Sequence, residues 1–195
     1  MEENEIIDEL TFIKKVIEDS RRSLSDNGMG YIVWGVLVFL GLMSEYVFII
    51  FKLNIPFFYF WMILIAIGWI WSFSYYGNRK RRKATRTFSG KILGSVWFSV
   101  GVGMTITGFA GTHSGILYGI HVSAMLSVFL GVGYFISGVI YDYALMKYIA
   151  FGWWAGAITM MYFPGIHTIL LMALMMLFFQ IIPGISLYIK SRKHQ

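Results

Sequence analysis

Between residues 29 and 189 the chain runs through six apolar segments, at about 29–51, 55–76, 92–112, 116–141, 144–163 and 165–189. A helix rises about 1.5 Å per residue, so about 20 apolar residues cross the roughly 30 Å hydrocarbon layer of a bilayer. A backbone in lipid has no water to bond to and must close its hydrogen bonds within each segment, which selects helices. The pattern predicts an all-α integral membrane protein with six transmembrane helices. Composition agrees: the 195 residues are 57% hydrophobic and 13% charged, with a mean hydropathy of +0.67, whereas a soluble domain carries about a quarter charged residues.

The charges that remain are sorted along the chain. Residues 1–28 hold eight acids against four bases, and the other residues hold twelve bases against two acids. Seven of those bases, Arg79, Lys80, Arg81, Arg82, Lys83, Arg86 and Lys91, crowd the join between the second and third segments with no acid among them. Lys and Arg in short loops mark the cytoplasmic side. The tail adds Lys190, Arg192 and Lys193, while the loops after segments 1, 3 and 5 carry only Lys52. Both termini are therefore expected in the cytoplasm, in a plasma membrane. The positive excess reads as topology and not as a nucleic-acid surface. The block Arg79 to Arg86 also offers a contact for lipid headgroups or for a cytoplasmic protein.

Three parts follow: a cytoplasmic amphipathic helix and joint at 1–28, a transmembrane domain at 29–189, and a basic tail at 190–195. In the first part Ile6, Leu10, Ile13, Ile17 and Leu24 share one helical face, and Ser25-Asp26-Asn27-Gly28 reads as a stop. Its acidity disfavours anionic lipid and suits its own bundle or a partner protein. No apolar signal-peptide core precedes the first span. The chain has no cysteine, which excludes disulfides and thiol chemistry.

Segments 2, 4 and 6 end alike, at Gly68 to Tyr76, Gly133 to Tyr141 and Ile182 to Tyr188, and segments 1, 3 and 5 carry Trp34, Trp97 and Trp153. This predicts three helical hairpins of similar design. Segment 3 carries small residues every fourth position, Ser95, Ser99, Gly103, Thr107 and Gly111, and segment 4 repeats the spacing at Ser123, Ser127 and Gly131. Such stripes let helices approach closely in lipid, or they line a path. Gly115 with Gly119 and Gly152 with Gly156 share that spacing. Pro183 is expected to kink segment 6, since it cannot donate to the carbonyl of Phe179; Gln180 stands beside that carbonyl and could supply it a donor.

Polar groups within a membrane are costly, so each is a candidate site. Glu45, His113, His121 and His167 all fall towards the outward side and make up the candidate ion, proton or metal site. No zinc-type spacing links them, and the reading that they simply sit at the wet interface competes. Met43, Met104, Met125, Met160 and Met161 could offer thioethers to a soft metal, or serve as apolar filler. No cofactor is strongly implied. No Walker loop, His-Glu-x-x-His or Gly-x-Ser-x-Gly occurs, which argues against an enzyme. Three functions compete: a regulatory or accessory protein with a cytoplasmic partner, a small oligomeric transporter or channel, and a metal- or haem-binding protein.

Overall fold

Long apolar runs free of proline become uninterrupted helices, and the short polar stretches between them become turns. The computed structural model describes Thr11 and residues 28–81 and 88–193. The expected N-terminal helix, most of the basic join and His194 lie outside the described residues. Among the described residues there is no strand. The helices are α1 (Gly28–Ile50), α2 (Phe57–Arg81), α3 (Phe88–His113), α4 (Gly119–Ile140), α5 (Ala144–Tyr162) and α6 (His167–Met175). A π-helical turn (Met176–Ile181) then leads into α7 (Ile182–Lys193).

Five stretches are long and apolar enough to cross a membrane: 28–50, 57–78, 89–113, 119–140 and 167–189, the last combining α6, the π turn and most of α7. The 19-residue α5 is not among them, because Lys147, Tyr148 and the Trp153–Trp154 pair dilute its apolar run. The second helix outlasts its apolar stretch and continues to Arg81, since Lys and Arg favour helix once the chain leaves the apolar zone. Turns are short. Lys52 and Asp142 take left-handed backbone (φ 52° and 47°) just past the ends of α1 and α4, and Gly115 does so after α3 (φ 76°). Lys147 pairs with Asp142 at 3.7 Å across the α4–α5 turn, an exposed pair that contributes little.

Packing is uneven. The most extensive contacts join α4 to α5, and α1 to the α6–α7 helix. Glycine explains the closeness. A Cβ at Gly184 would lie 3.1 Å from the backbone N of Ile32, and one at Gly28 would lie 2.8 Å from the backbone N of Tyr188. Backbone meets backbone there, as small residues allow in lipid. Gly131 leaves room for the indole of Trp154, and Gly138 for Lys147. The buried centre holds Tyr31, Tyr134 and Trp153 together with Met146, Met160, Met172 and Met176. Flexible thioethers fill gaps between the rings. Tyr31, Trp97 and Tyr134 form a triangle of rings with centroids 5.3–5.5 Å apart.

The second helix is the exception. It touches α1 and α3 sparsely, and only 6% of its apolar stretch is buried. Large side chains hold it off: Trp34 of α1 and its own Trp61 and Trp69 fill the gap that glycine closes elsewhere.

Candidate functional site

One bridge recurs along α1 to α4. In each case a tryptophan of one helix lies over a glycine of the next and donates its indole N–H to a hydroxyl one turn further on. Trp34 lies over Gly68 and donates to Ser72 at 2.9 Å. Trp69 lies over Gly101 and donates to Thr105 at 3.3 Å. Trp97 lies over Gly133 and donates to Ser137 at 3.1 Å. Thr105 and Ser137 in turn donate to the carbonyls of those same glycines, Gly101 at 2.7 Å and Gly133 at 2.6 Å. These two hydroxyls thus each bond a backbone carbonyl and receive an indole. In α5 the corresponding Trp153 does not repeat the bridge: it is fully buried and its Nε1 has no partner among the described residues.

The loosely held α2 leaves a cavity of about 1800 Å³. Its walls come from α1, α2, α3, α4 and the α6–α7 helix. Indole and phenyl rings dominate them: Trp34, Trp61, Trp69, Trp97 and Phe58 all face it. Along α3 the lining is small, with Gly94, Gly101 and Gly108 repeating every seventh residue; a Cβ on Gly94 or Gly108 would touch nothing within 4 Å. Ser95 and Ser99 of the expected stripe lie beside this opening and are exposed, whereas Gly103 faces Phe129 and Gly111 faces Leu117. Thr107 is half-buried. On α4, Ser123 and Ser127 are buried, and the Ser127 hydroxyl donates to the Ser123 carbonyl at 2.9 Å. Gly152 and Gly156 seat Phe179 and Met175, while nothing lies against Gly115 or Gly119.

Charge is placed at the two ends of this cavity. Glu45 lies at the end near His113, half-buried, and its Oε2 accepts the Trp61 indole N–H at 2.9 Å. Among the described residues no cation pairs with it. Lys91 stands at the other end, beyond the basic join. His113 also lines the cavity, with its ring 5.6 Å from that of Phe58. His121 and His167 do not line it; His121 is half-buried and His167 exposed. The structure therefore brings Glu45 and His113 to one cavity and leaves the other two histidines outside it. Among the described residues no group of three or more His, Asp or Glu could hold a metal ion. Of the methionines read as thioether ligands, Met160 is buried in the core, Met43 and Met104 pack against it, and Met125 and Met161 are exposed. Of the basic block, Arg79 to Arg81 fall in the last turn of α2 and Arg82, Lys83 and Arg86 lie outside the described residues.

The back wall carries a feature that only the fold reveals. Ahead of Pro183 the helix widens into the π turn, and Ile182 N–H donates to the Leu177 carbonyl five residues back. The expected kink is thus met by a one-residue change of helical register, the form such interruptions often take at functional sites. Gln180 sits in that turn, 4% exposed, facing the cavity. Its Oε1 accepts no hydrogen bond among the described residues. The wider turn presents the amide inward; sequence placed Gln180 beside the proline but showed nothing of the cavity in front of it.

No family model matches the chain, and no curated protein and no solved structure matches it.

Proposed function

We propose that the chain is a small multi-pass membrane transporter that holds its substrate in the cavity beside α2. The observation that carries this reading is the Gln180 oxygen, a buried acceptor with no partner facing about 1800 Å³ of space. A buried polar atom left unpaired costs about 1–3 kcal/mol, so its place in a cavity wall suits a site that something polar enters. Charge at both ends and rings between them add the features of a ligand site: an apolar, concave surface with a few polar groups.

In this reading α5 is a sixth span. Its 19 residues reach about 29 Å at 1.5 Å per residue. Two of its less apolar side chains, Lys147 and Trp154, pack against Gly138 and Gly131 of α4 and need not meet lipid. The basic join and tail put both termini and the α4–α5 turn in the cytoplasm of a plasma membrane, with Glu45 towards the outside. The recurring tryptophan bridge suits helices built on a repeated plan, and a homo-oligomer would cover the sparsely packed α2.

The test is flux. In proteoliposomes challenged with a panel of ions and organic solutes, the chain should carry a solute at a rate that falls at least tenfold in Glu45→Gln. Absence of flux across the panel would remove the transporter reading.

A second reading rests on charge sorting: an acidic segment at 1–28 and a basic join are both expected inside, which fits an accessory protein with a cytoplasmic partner. Deleting residues 1–24 should then abolish co-purification of that partner and leave the bundle folded; undiminished co-purification would count against it.

A further inference from the structure

We infer that the cavity takes a lipophilic organic cation, its charge seated at Glu45 and its apolar body against the tryptophan-lined wall. The inference rests on the reading of the cavity as a substrate site and adds the class of substrate.

Three observations point the same way. Glu45 is an acid within a membrane-spanning helix, and no Lys, Arg or His among the described residues pairs with it. Its one hydrogen-bond partner among the described residues is a neutral donor, the Trp61 indole, which fixes the carboxylate without neutralising it. A carboxylate at such depth calls for a positive partner, and a ligand can bring one. Trp61 touches the carboxylate, and Phe58, His113, Trp34 and Trp69 line the same cavity. Aromatic faces attract cations, most strongly where water is excluded.

The other end of the cavity sets direction. Lys91 lies 22 residues before His113 on α3, about 33 Å along the helix. A cation is repelled from the Lys91 end and drawn to the Glu45 end, and an anion would meet the reverse. An inorganic cation fits less well, because Glu45 is the one carboxylate among the residues that line the cavity and hard ions favour several charged oxygens. A bulky organic cation gives up little hydration and fills the space.

The glycines of α3 provide the control. Gly94 and Gly108 line the cavity with nothing within 4 Å of a Cβ, so a side chain added there starts into open space and takes up ligand volume. Glu45→Gln keeps an oxygen for the Trp61 N–H and preserves shape while removing charge.

The experiment is equilibrium binding to the purified full chain in detergent. The probes are tetraphenylphosphonium and the neutral triphenylphosphine oxide, with thermal midpoint as a check on folding. The expected result is saturable binding of one phosphonium per chain, weaker by at least tenfold in Glu45→Gln and abolished in Gly108→Leu, with the neutral probe at least tenfold weaker throughout. Equal binding of the two probes, or unchanged phosphonium binding in Glu45→Gln, overturns the cation assignment. If the neutral probe binds and Gly108→Leu abolishes it, the cavity remains a binding site and only the charge class fails. If neither probe binds, both readings fail. Phosphonium binding without flux in proteoliposomes removes transport and keeps the cation site.

Discussion

Each tryptophan bridge is a small wager on one hydroxyl. In water an indole N–H that loses its acceptor finds a solvent molecule; at the depth of Ser137, which is fully buried, it does not. Ser137→Ala should therefore destabilise the folded chain by about 1 kcal/mol, between the average of about 0.6 and the maximum of about 1.7 kcal/mol measured for side-chain bonds between membrane helices. Trp97→Phe should cost more, since it also removes ring area from the triangle with Tyr31 and Tyr134. The bond is shared, so the double variant should fall short of the sum of the two. Reversible unfolding in mixed micelles measures all three. Strict additivity would show that the 3.1 Å contact contributes nothing. The glycine beneath is a steric matter: a Cβ on Gly68 would come within 2.6 Å of the Trp34 ring, so Gly68→Val should move α2 and cost more than loss of the Ser72 hydroxyl. The glycine, the hydroxyl four residues on and the tryptophan are all visible in the sequence. What the sequence could not show is which tryptophan meets which hydroxyl, because the partners are 36, 38 and 40 residues apart and only the packing pairs them.

Helices differ in how closely they are allowed to approach, and glycine placement decides it. Gly184→Leu would drive a side chain into the α1 backbone near Ile32 and should unfold the contact between α1 and α7. Gly77→Ala meets nothing within 4 Å and removes a residue that disfavours helix, so it should stabilise α2 by about 0.5–1 kcal/mol. Thermal midpoints of the two variants should move in opposite directions. Helix existence was legible at this scale: lipid demands long apolar helices, and the five that qualify lie within a few residues of the expected segments. Less legible was how they pair. Small residues at four-residue spacing on α3 predict close packing, yet Ser95 and Ser99 are exposed beside the cavity and the close approaches occur on α4 and α1. Spacing identifies a smooth face but not its neighbour. The expected break at Pro183 was visible because a missing N–H is a local fact; the π turn that absorbs it depends on the helices packed around it.

At the scale of the whole molecule, charge and cavity share one axis. The acid sits at the end of α1 and α2 where the turns are nearly free of charge, and the bases gather at the opposite end. Glu45 was visible as the lone acid in a span; that it faces a cavity was not, because the cavity exists only where α2 stands away from α3. Under the proposed cation reading the sidedness of the bundle decides which compartment would deliver a cation to Glu45, and the absence of cysteine makes that sidedness measurable without background from this chain. Ser114 lies in the exposed α3–α4 turn and Asp142 in the exposed α4–α5 turn, at opposite ends of α4. A membrane-impermeant maleimide added to intact cells should label Ser114→Cys at once and Asp142→Cys only after the membrane is opened. That outcome places the Glu45 end of the cavity outside, and under the proposed reading a cation would reach the carboxylate from the exterior and pass the Lys91 end to enter. The reverse labelling would break the link between basic residues and the cytoplasm for this chain. It would also make the carboxylate the inner end, and the proposed cation site would then draw its ligand from within the cell.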